Sequence, residues 1–197
     1  MKTLSKALVE SGYAVYIPNT FRNTSALLKE CLKPSIRLPK RKSFITHLSV
    51  NPTIIHELRH LQIIKDLEEY LGPTAHLTEV ELCLSDAVMQ GPPKVAQLYH
   101  LDNDSSPQVK MFFLCKPVAP ENGPLTFLNT TDSAAVCKRI GYRDAQRLLD
   151  SDVKLYHPTA LVGDAGTIGF IDTSRCLHFG SRVKIAPRLL LVTQFTA

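Results

Sequence analysis

The sequence contains no tryptophan, no Cys-x-x-Cys pair and no apolar run long enough to cross a bilayer. The absence of such a cysteine pair excludes a zinc knuckle or a dithiol redox motif. The five cysteines are widely spaced and odd in number, which is typical of a protein kept in a reducing compartment. Lys6 and Glu10 interrupt the N-terminal segment before the apolar core of a secretory signal can form. We therefore expect a soluble cytoplasmic protein with no membrane partner.

Length and composition indicate one ordinary globular domain. The 197 residues are enough to bury a substantial core without disulfides or a structural metal. Hydrophobic residues make up 44% and charged residues 21% of the chain, which excludes a disordered or fibrous protein. The net charge of +5 favours anionic partners, although a solvated basic loop explains the same excess. The densest basic cluster lies between Pro34 and Phe44 and comprises Arg37, Lys40, Arg41 and Lys42.

The first 75 residues have the apolar spacing of helices. This spacing predicts helices over residues 3–10 and 24–32, with a strand over residues 12–17 between them. A longer helix is predicted over residues 51–71. Asn51 is a favourable N-cap for it, and the following proline suits the first helical position.

From residue 76 to 197 the pattern changes to short apolar runs between turns, which is typical of an all-β barrel or sandwich. One helix, predicted over residues 132–149, interrupts the strands. We expect a single, mainly β domain with packed helices, in which a helix-rich front (residues 1–75) lies on a jelly-roll core (residues 76–197). The predicted strands are residues 76–84, 95–100, 109–116, 125–128, 159–162, 167–172, 175–179 and 188–195.

A candidate metal site begins with His100 and Asp102. Residues two apart on a strand point to the same face, so both side chains can reach one metal ion. His178 ends a predicted strand just before Gly180, where the backbone can turn sharply, and it can supply a second imidazole. Two histidines and one carboxylate form the facial triad of non-haem iron enzymes, which leaves three positions on the iron open. His-x-Asp alone is a short motif that many chains contain by chance.

Arg188 is the candidate residue for binding 2-oxoglutarate as a cosubstrate. It begins the strand that follows His178, and we expect antiparallel pairing to place its guanidinium beside the metal. A guanidinium can bind the distal carboxylate of 2-oxoglutarate through two parallel hydrogen bonds, which a lysine ammonium cannot do.

At these residues the sequence resembles the phytanoyl-CoA dioxygenase-like family of Fe(II)- and 2-oxoglutarate-dependent oxygenases. The resemblance implies a double-stranded β-helix, a cupin-like jelly roll, in which His100, Asp102 and His178 bind iron and Arg188 binds 2-oxoglutarate. It also implies a dioxygenase that uses O2 and releases succinate and CO2. Gln97, frequent at this place in the family, is a candidate cosubstrate contact, or else a strand residue that bonds to a neighbour. The matching segments cover nearly the whole chain: Gly12-Tyr-Ala-Val-Tyr-Ile, Gln97-Leu-Tyr-His-Leu-Asp102, Glu121-Asn-Gly-Pro-Leu125 and Gly166-Thr-Ile-Gly-Phe-Ile-Asp-Thr173.

The chain departs from this family at several points. Residues 126–133 replace the Pro-Gly-Ser-His turn of many members, so one wall of the pocket should differ. Without tryptophan, aromatic packing against the cosubstrate must come from residues such as Phe112, Phe113 or Tyr99. The chain is short for the family, which favours a small or medium organic substrate over a large acyl-CoA. Related halogenases lack the carboxylate that Asp102 supplies, so we expect hydroxylation.

A zinc metallopeptidase is the rival hypothesis. His56-Glu57-Leu-Arg-His60 matches the pattern His-Glu-x-x-His, in which two histidines on one helical face bind zinc and the glutamate is the general base. By spacing, Glu79 or Glu81 could be the third ligand, but no Gly-x-x-His continuation follows. The two histidines lie on the predicted apolar side of the helix, so packing against the sheet is the favoured account of them.

Two further alternatives are open. A non-enzymatic jelly-roll binding protein would keep the fold with a vestigial metal site. An oxygenase acting on nucleic acid would use the basic cluster. That group generally carries its arginine farther beyond the second histidine than Arg188 lies beyond His178, so nucleic acid ranks below a small-molecule substrate.

Overall fold

The structure, a computed structural model, describes residues 2–38, 44–61, 63–87, 92–102 and 107–197. Lys40, Arg41 and Lys42, which form most of the basic cluster, lie outside these ranges. Within the described residues, no helix combines the length and the apolar character needed to cross a membrane.

The described chain forms six α-helices and nine β-strands. The helices are α1 (Leu4–Ser11), α2 (Thr24–Cys31), α3 (Pro52–Arg59), α4 (Ile64–Leu71), α5 (Thr130–Ile140) and α6 (Asp150–Val153). The strands are β1 (Tyr13–Tyr16), β2 (Ile45–Leu48), β3 (His76–Ser85), β4 (Gln108–Leu114), β5 (Thr126–Phe127), β6 (Thr159–Ala160), β7 (Ile168–Ile171), β8 (His178–Phe179) and β9 (Arg188–Thr196).

The described strands form two antiparallel sheets. The larger sheet has six strands in the order β1-β7-β4-β9-β3-β2, and the smaller has three in the order β6-β5-β8. The long strand β9 lies inside the larger sheet, between β4 and β3. The sequence pattern does not predict β2, which lies at the edge of this sheet beside β3 and also bridges to Arg37 through Leu48. The predicted fold class, a mainly β jelly roll with packed helices, is confirmed.

Alternation along β4 and β9 creates two hydrophobic layers. Met111 and Phe113 of β4 face the core beneath the helices. Phe112 of β4 and Leu190 of β9 face the opposite side, toward the smaller sheet. Burial of each large apolar side chain contributes roughly 1.5–3 kcal/mol. Arg188 has the parity of Leu190 on β9, so it also points between the two sheets.

The single helix predicted over residues 51–71 is wrong, because the chain breaks there into α3 and α4. Leu61 and Ile63, at the break, are each only 1% exposed. Residues two apart on a continuous helix point about 200° away from each other, so an unbroken helix could not bury both. His56 and His60 are exposed, and the expectation that they pack against the sheet is therefore also wrong.

Residues 95–100 do not form the predicted strand. The chain makes a 3₁₀ turn over Val95–Gln97 and then two single bridges, one of Tyr99 with Leu148 and one of His100 with His178. The prediction fails because each bridging residue pairs with a different segment, so no continuous partner strand exists for this stretch.

Helix α5 is shorter than the predicted helix over residues 132–149 and begins before it. Asn129 caps the helix by accepting a 2.8 Å hydrogen bond from the backbone N–H of Asp132. Gly141 ends it with a left-handed φ of 63°, a conformation that glycine adopts without steric cost. The helical prediction fails beyond this point because the chain turns back to bring Leu148 to its bridge.

The turn between β7 and β8 is organised by the buried carboxylate of Asp172, which is 0% exposed. Its Oδ2 accepts a 2.5 Å hydrogen bond from the hydroxyl of Tyr70 on α4. Its Oδ1 accepts 3.1 Å bonds from the backbone N–H groups of Ser174 and Arg175. Hydrogen bonds to a charged acceptor are stronger than neutral ones. Asp172 therefore ties the helical layer to the turn that leads into His178.

The Asp172 network predicts a large, local loss of stability on mutation. Asp172→Ala should lower the free energy of unfolding by roughly 3–5 kcal/mol, because several partly buried donors lose their charged acceptor. Tyr70→Phe removes one of these bonds and should cost roughly 1.5–3 kcal/mol. Urea unfolding followed by circular dichroism measures both. Asp144→Ala, at an exposed position, is the matched control and should change stability by less than about 0.5 kcal/mol. Equal effects in the Asp172 and Asp144 variants would contradict this account.

Candidate metal centre and anion site

His100 and His178 face each other in a short antiparallel pairing. Each backbone N–H donates to the other residue's carbonyl oxygen at 3.0 Å, and the ring centroids lie 4.3 Å apart. The Nδ1–H of His100 donates to the Leu98 carbonyl at 2.8 Å, and the Nδ1–H of His178 donates to the Cys176 carbonyl at 2.9 Å. A carbonyl can only accept, so these bonds place the ring proton on Nδ1 and leave the Nε2 lone pair available to a metal.

Asp102 brings a carboxylate to the two imidazoles. Its Oδ1 lies 3.4 Å from Nε2 of His100, and its Oδ2 lies 3.6 Å from Nε2 of His178. Its backbone N–H donates to the carbonyl of Thr173 at 2.9 Å, so the turn held by Asp172 also positions this residue. The three donor groups lie within 4.8 Å of one another and could hold one metal ion.

The electrostatics of the site favour the unprotonated forms that a metal requires. Burial lowers the pKa of His178 to about 4, against the attraction of Asp102. Burial opposes ionisation of Asp102, but His178, His100 and Lys110 outweigh it and hold the pKa of that carboxyl well below its ordinary value. At neutral pH the site therefore presents a neutral His178 imidazole and an ionised Asp102 carboxylate.

Lys110 is a part of the site that sequence reasoning missed. Its ammonium lies 2.8 Å from Oδ2 of Asp102, and its side chain is 21% exposed. It is the one charged residue of the apolar strand β4, between Val109 and Met111. A single lysine inside an apolar strand is a signal that could have identified it, because charged side chains are seldom buried without a partner.

Arg188 is buried, at 4% exposed, and no carboxylate among the described residues lies within salt-bridge distance of it. Its guanidinium donates to the carbonyl of Gly123, to Ser181 Oγ at 2.9 Å and to Ser85 Oγ at 3.4 Å. Its Nε has no hydrogen-bond partner in the described part of the chain. Burial lowers the pKa of Arg188 to about 10, which still leaves it charged at neutral pH. A buried cation without a counter-charge is costly, so this position suits an anion.

Ser181 orients Arg188 and was also missed from the sequence. It adopts a left-handed φ of 61°, and its Oγ lies 3.1 Å from Ser85 Oγ as well as contacting the guanidinium. Its carbonyl accepts a 2.9 Å hydrogen bond from Nε2 of Gln97. The sharp turn expected at Gly180 is thus made one residue later. Its position in the short loop between His178 and Arg188 is a signal that could have identified Ser181.

Gln97 is buried, and both ends of its side-chain amide bond to the backbone. Its Oε1 accepts a 3.0 Å bond from the Lys94 N–H, while its Nε2 holds the Ser181 carbonyl. These contacts connect the segment before His100 to the loop that orients Arg188. The Gln97 side chain does not line the cavity between the two sheets.

The strand pairing that places Arg188 near the candidate metal centre differs from the expected one. Strand β9 pairs with β3 and β4 in the larger sheet, whereas β8 and its His178 belong to the smaller sheet. The expected antiparallel pairing of these two strands is therefore wrong. The guanidinium comes close to His178 because the two sheets face each other, and Leu190 and Val192 extend the same inner face of β9.

One cavity of about 150 Å³ is lined by the three candidate metal ligands, Lys110 and Arg188. Of the three aromatic residues expected near the cosubstrate, Phe112 lines this cavity, whereas Phe113 packs beneath the helices and Tyr99 packs against Phe179. The volume is at the small end for ligand pockets, as expected for a compact anion next to a metal. The lining residues are Ile45, Glu81, Cys83, Ser85, Ala96, His100, Asp102, Lys110, Phe112, Leu125, His178, Gly180, Ser181, Arg188, Leu190 and Val192.

The His-Glu-x-x-His segment on α3 does not form a comparable centre. Nε2 atoms of the exposed His56 and His60 lie 3.2 Å apart. Within the described residues, neither histidine joins a group of three potential metal ligands. Glu81, suggested as a third ligand, instead lies 3.0 Å from Nδ1 of His47. The geometry therefore gives no support to the metallopeptidase hypothesis.

Comparisons with solved structures identify the class of fold. The epimerase SnoN, in complex with Fe3+, alpha ketoglutarate and nogalamycin RO, superposes with a TM-score of 0.61 and 15% identity over 98% of this chain and 82% of that chain. HygX from Streptomyces hygroscopicus, with nickel, 2-oxoglutarate and hygromycin B bound, gives 0.63 and 9% over 98% and 86%. EctD from S. alaskensis, in its apoform, gives 0.67 and 18% over 98% and 75%.

At these identities the similarity establishes the fold alone: the chain has the jelly-roll fold of non-haem iron enzymes that depend on 2-oxoglutarate. No protein-family model matches the chain, and no curated protein matches it by sequence. The structural neighbours therefore do not single out the phytanoyl-CoA dioxygenase-like family. They include an epimerase and a carbocyclase, so the fold does not fix the reaction.

The left-handed backbone at Ser181 gives a test of the anion site's geometry. Ser181→Ala should be less stable than Ser181→Gly by about 1 kcal/mol, because alanine retains the steric cost of positive φ and glycine does not. Both variants lose the same hydroxyl, so their difference isolates the backbone. Thermal and urea unfolding measure it, and equal stability of the two variants would rule out a left-handed residue here.

Proposed function

We propose that the protein is an Fe(II)- and 2-oxoglutarate-dependent dioxygenase that hydroxylates a small or medium organic substrate, with release of succinate and CO2. One observation carries the proposal. A convergent set of two imidazoles and one carboxylate, His100, Asp102 and His178, lines the same small cavity as Arg188, a buried cation with no carboxylate partner among the described residues.

The donor set fits iron. Two imidazole nitrogens and one carboxylate are the ligands of the facial triad, and no described cysteine joins them. His100 and His178 are oriented by their Nδ1–H bonds, and Asp102 by the bond of its backbone N–H to Thr173. Iron, when bound, supplies the activation of dioxygen and the oxidation of the substrate.

Arg188 binds the distal carboxylate of 2-oxoglutarate in this proposal. Ser181 and Ser85 already contact its guanidinium and hold this group in place. Their hydroxyls are also available to the same carboxylate. Gln97 acts through Ser181, whose carbonyl it binds, and therefore serves as a positioning residue. The apolar side chains of Phe112 and Leu190 line the walls between anion site and metal centre and exclude water.

Hydroxylation of a modest substrate is the reaction that the remaining observations favour. Asp102 occupies the third ligand position, which supports oxygen transfer over the halogen transfer of relatives that lack this carboxylate. The cavity of about 150 Å³ is smaller than typical ligand pockets, which favours a small or medium substrate over a large acyl-CoA. Neighbours were solved with nogalamycin RO and hygromycin B, and these organic ligands support a small-molecule partner rather than nucleic acid.

Loss of a metal ligand should abolish turnover. After anaerobic reconstitution with Fe(II) and exposure to air, the protein should convert 2-oxoglutarate to succinate. His178→Ala and Asp102→Ala should each reduce this rate by more than the roughly 10–100-fold that loss of an outer-shell partner costs. His60→Ala, at an exposed position, is the matched control and should retain full activity.

Undiminished turnover in the Asp102 variant would contradict the proposed role of Asp102 as an iron ligand and with it the proposed dioxygenase. Calorimetry separates the alternatives: failure of the folded protein to bind Fe(II) or Mn(II) would favour a non-enzymatic jelly-roll protein. Zinc-dependent peptide cleavage that depends on His56 would favour the peptidase.

Removal of the buried cation should weaken cosubstrate binding selectively. Arg188→Met should raise the Kd of 2-oxoglutarate by the equivalent of roughly 2–5 kcal/mol, because the distal carboxylate loses a charged, bidentate partner. Iron affinity should change little, since Arg188 is not a metal ligand. Isothermal titration with Mn(II) and 2-oxoglutarate measures the two affinities. Arg59→Met, an exposed arginine on α3, is the control. An unchanged affinity for 2-oxoglutarate would show that Arg188 does not bind its distal carboxylate.

A further inference from the structure

A second cluster of metal-ligand side chains lies in the cavity wall beside the proposed iron site. His47 of β2 is the register partner of Cys83 on β3, and Glu81 precedes Cys83 by two positions on the same face of β3. His47 is 9% and Cys83 8% exposed, so these two ligands are buried, whereas the side chain of Glu81 is 25% exposed. Glu81 and Cys83 line the cavity that also contains His100 and Arg188.

The three donor groups of this cluster converge on one point. Nδ1 of His47 lies 3.0 Å from Oε1 of Glu81 and 4.0 Å from Sγ of Cys83. Sγ of Cys83 lies 3.9 Å from Oε2 of Glu81. A zinc ion with tetrahedral Zn–S, Zn–N and Zn–O bonds of ordinary length would place these atoms about 3.4–3.6 Å apart. The His47–Glu81 and His47–Cys83 separations therefore each differ from the tetrahedral value by no more than about half an ångström. One donor atom from each of the three residues lies within 4.8 Å of the other two.

The same geometry excludes a cysteine nucleophile with a histidine relay. In such a relay the acid binds one ring nitrogen and the cysteine contacts the other. Here a single nitrogen, Nδ1 of His47, faces both Glu81 and Cys83. Nε2 of His47 is buried and has no hydrogen-bond partner in the described residues, so it takes no part in a relay. Three donor groups arranged around one point are typical of a metal-binding site, not of a catalytic relay.

We propose that His47, Glu81 and Cys83 form a second metal site, which binds a thiophilic divalent cation such as Zn2+. The thiolate separates it chemically from the first site, because sulfur ligands select zinc over Fe(II) whereas imidazole and carboxylate accept either. Three ligands come from the described residues, and two of them, Glu81 and Cys83, line the cavity. A bound ion would join β2 to β3 through their side chains, where only four residues of β2 pair with the sheet.

Cobalt distinguishes the two sites, because only a cysteine ligand produces a thiolate-to-Co2+ charge-transfer absorption. Co2+ is titrated into the reduced, metal-free, full-length protein, and the near-ultraviolet band is followed. The site predicts a band that reaches a plateau as Co2+ is added and disappears when Zn2+ is added. Cys83→Ser should lose the band, whereas His100→Ala, which removes a ligand of the proposed iron site, should retain it. Cys137→Ser is the matched cysteine control and should also retain it.

His47→Gln keeps the thiol and provides a second test if Cys83→Ser does not fold. It should weaken Co2+ binding by at least about tenfold, with circular dichroism confirming the fold. Absence of the band in the folded, reduced wild-type protein would overturn the proposal and leave the cluster as a His47–Glu81 ion pair. So would a band that persists in Cys83→Ser or an unchanged Co2+ affinity in His47→Gln. Because the band does not depend on His100, these outcomes are independent of the proposed iron site.

Discussion

Two backbone hydrogen bonds between His100 and His178 are the constraint on which the candidate centre depends. They join segments from different parts of the chain and set the distance between two imidazoles before any side chain is considered. Each ring is then oriented by a carbonyl two residues earlier, and Asp102 is placed by a carbonyl from the turn before His178. Main-chain geometry therefore positions all three side chains, which is how a site on short bridges can be as rigid as one on long strands.

Charge is distributed unevenly across the cavity. The carboxylate of Asp102 is matched by the ammonium of Lys110 and by the imidazoles, whereas Arg188 is surrounded by hydroxyls and a carbonyl. These neutral acceptors take hydrogen bonds from some N–H groups of the guanidinium but do not neutralise its positive charge. The cavity thus combines an anionic group, Asp102, that can bind a cation with a cationic group, Arg188, that can bind an anion.

The sequence predicted much of the fold class and the residues that converge, because strand alternation and motif spacing are local properties. Ser85 and Arg188, which are 103 positions apart, meet only through the pairing of β3 with β9. No local pattern reports such a contact, and the same is true of Lys110 beside Asp102. The break between α3 and α4 was missed for a related reason: helical periodicity could not report that the core takes both Leu61 and Ile63.

The bond between Tyr70 and Asp172 affects how this architecture can vary. Tyr70 belongs to a helix that carries no candidate ligand, yet its hydroxyl is part of the buried network from which the chain proceeds to His178. The helical layer is therefore structural support for the centre rather than an interchangeable cover. Substitutions that reshape α4 and substitutions in the turn after β7 must be compatible with each other, so these two distant segments should be exchanged together when the scaffold is recombined or redesigned.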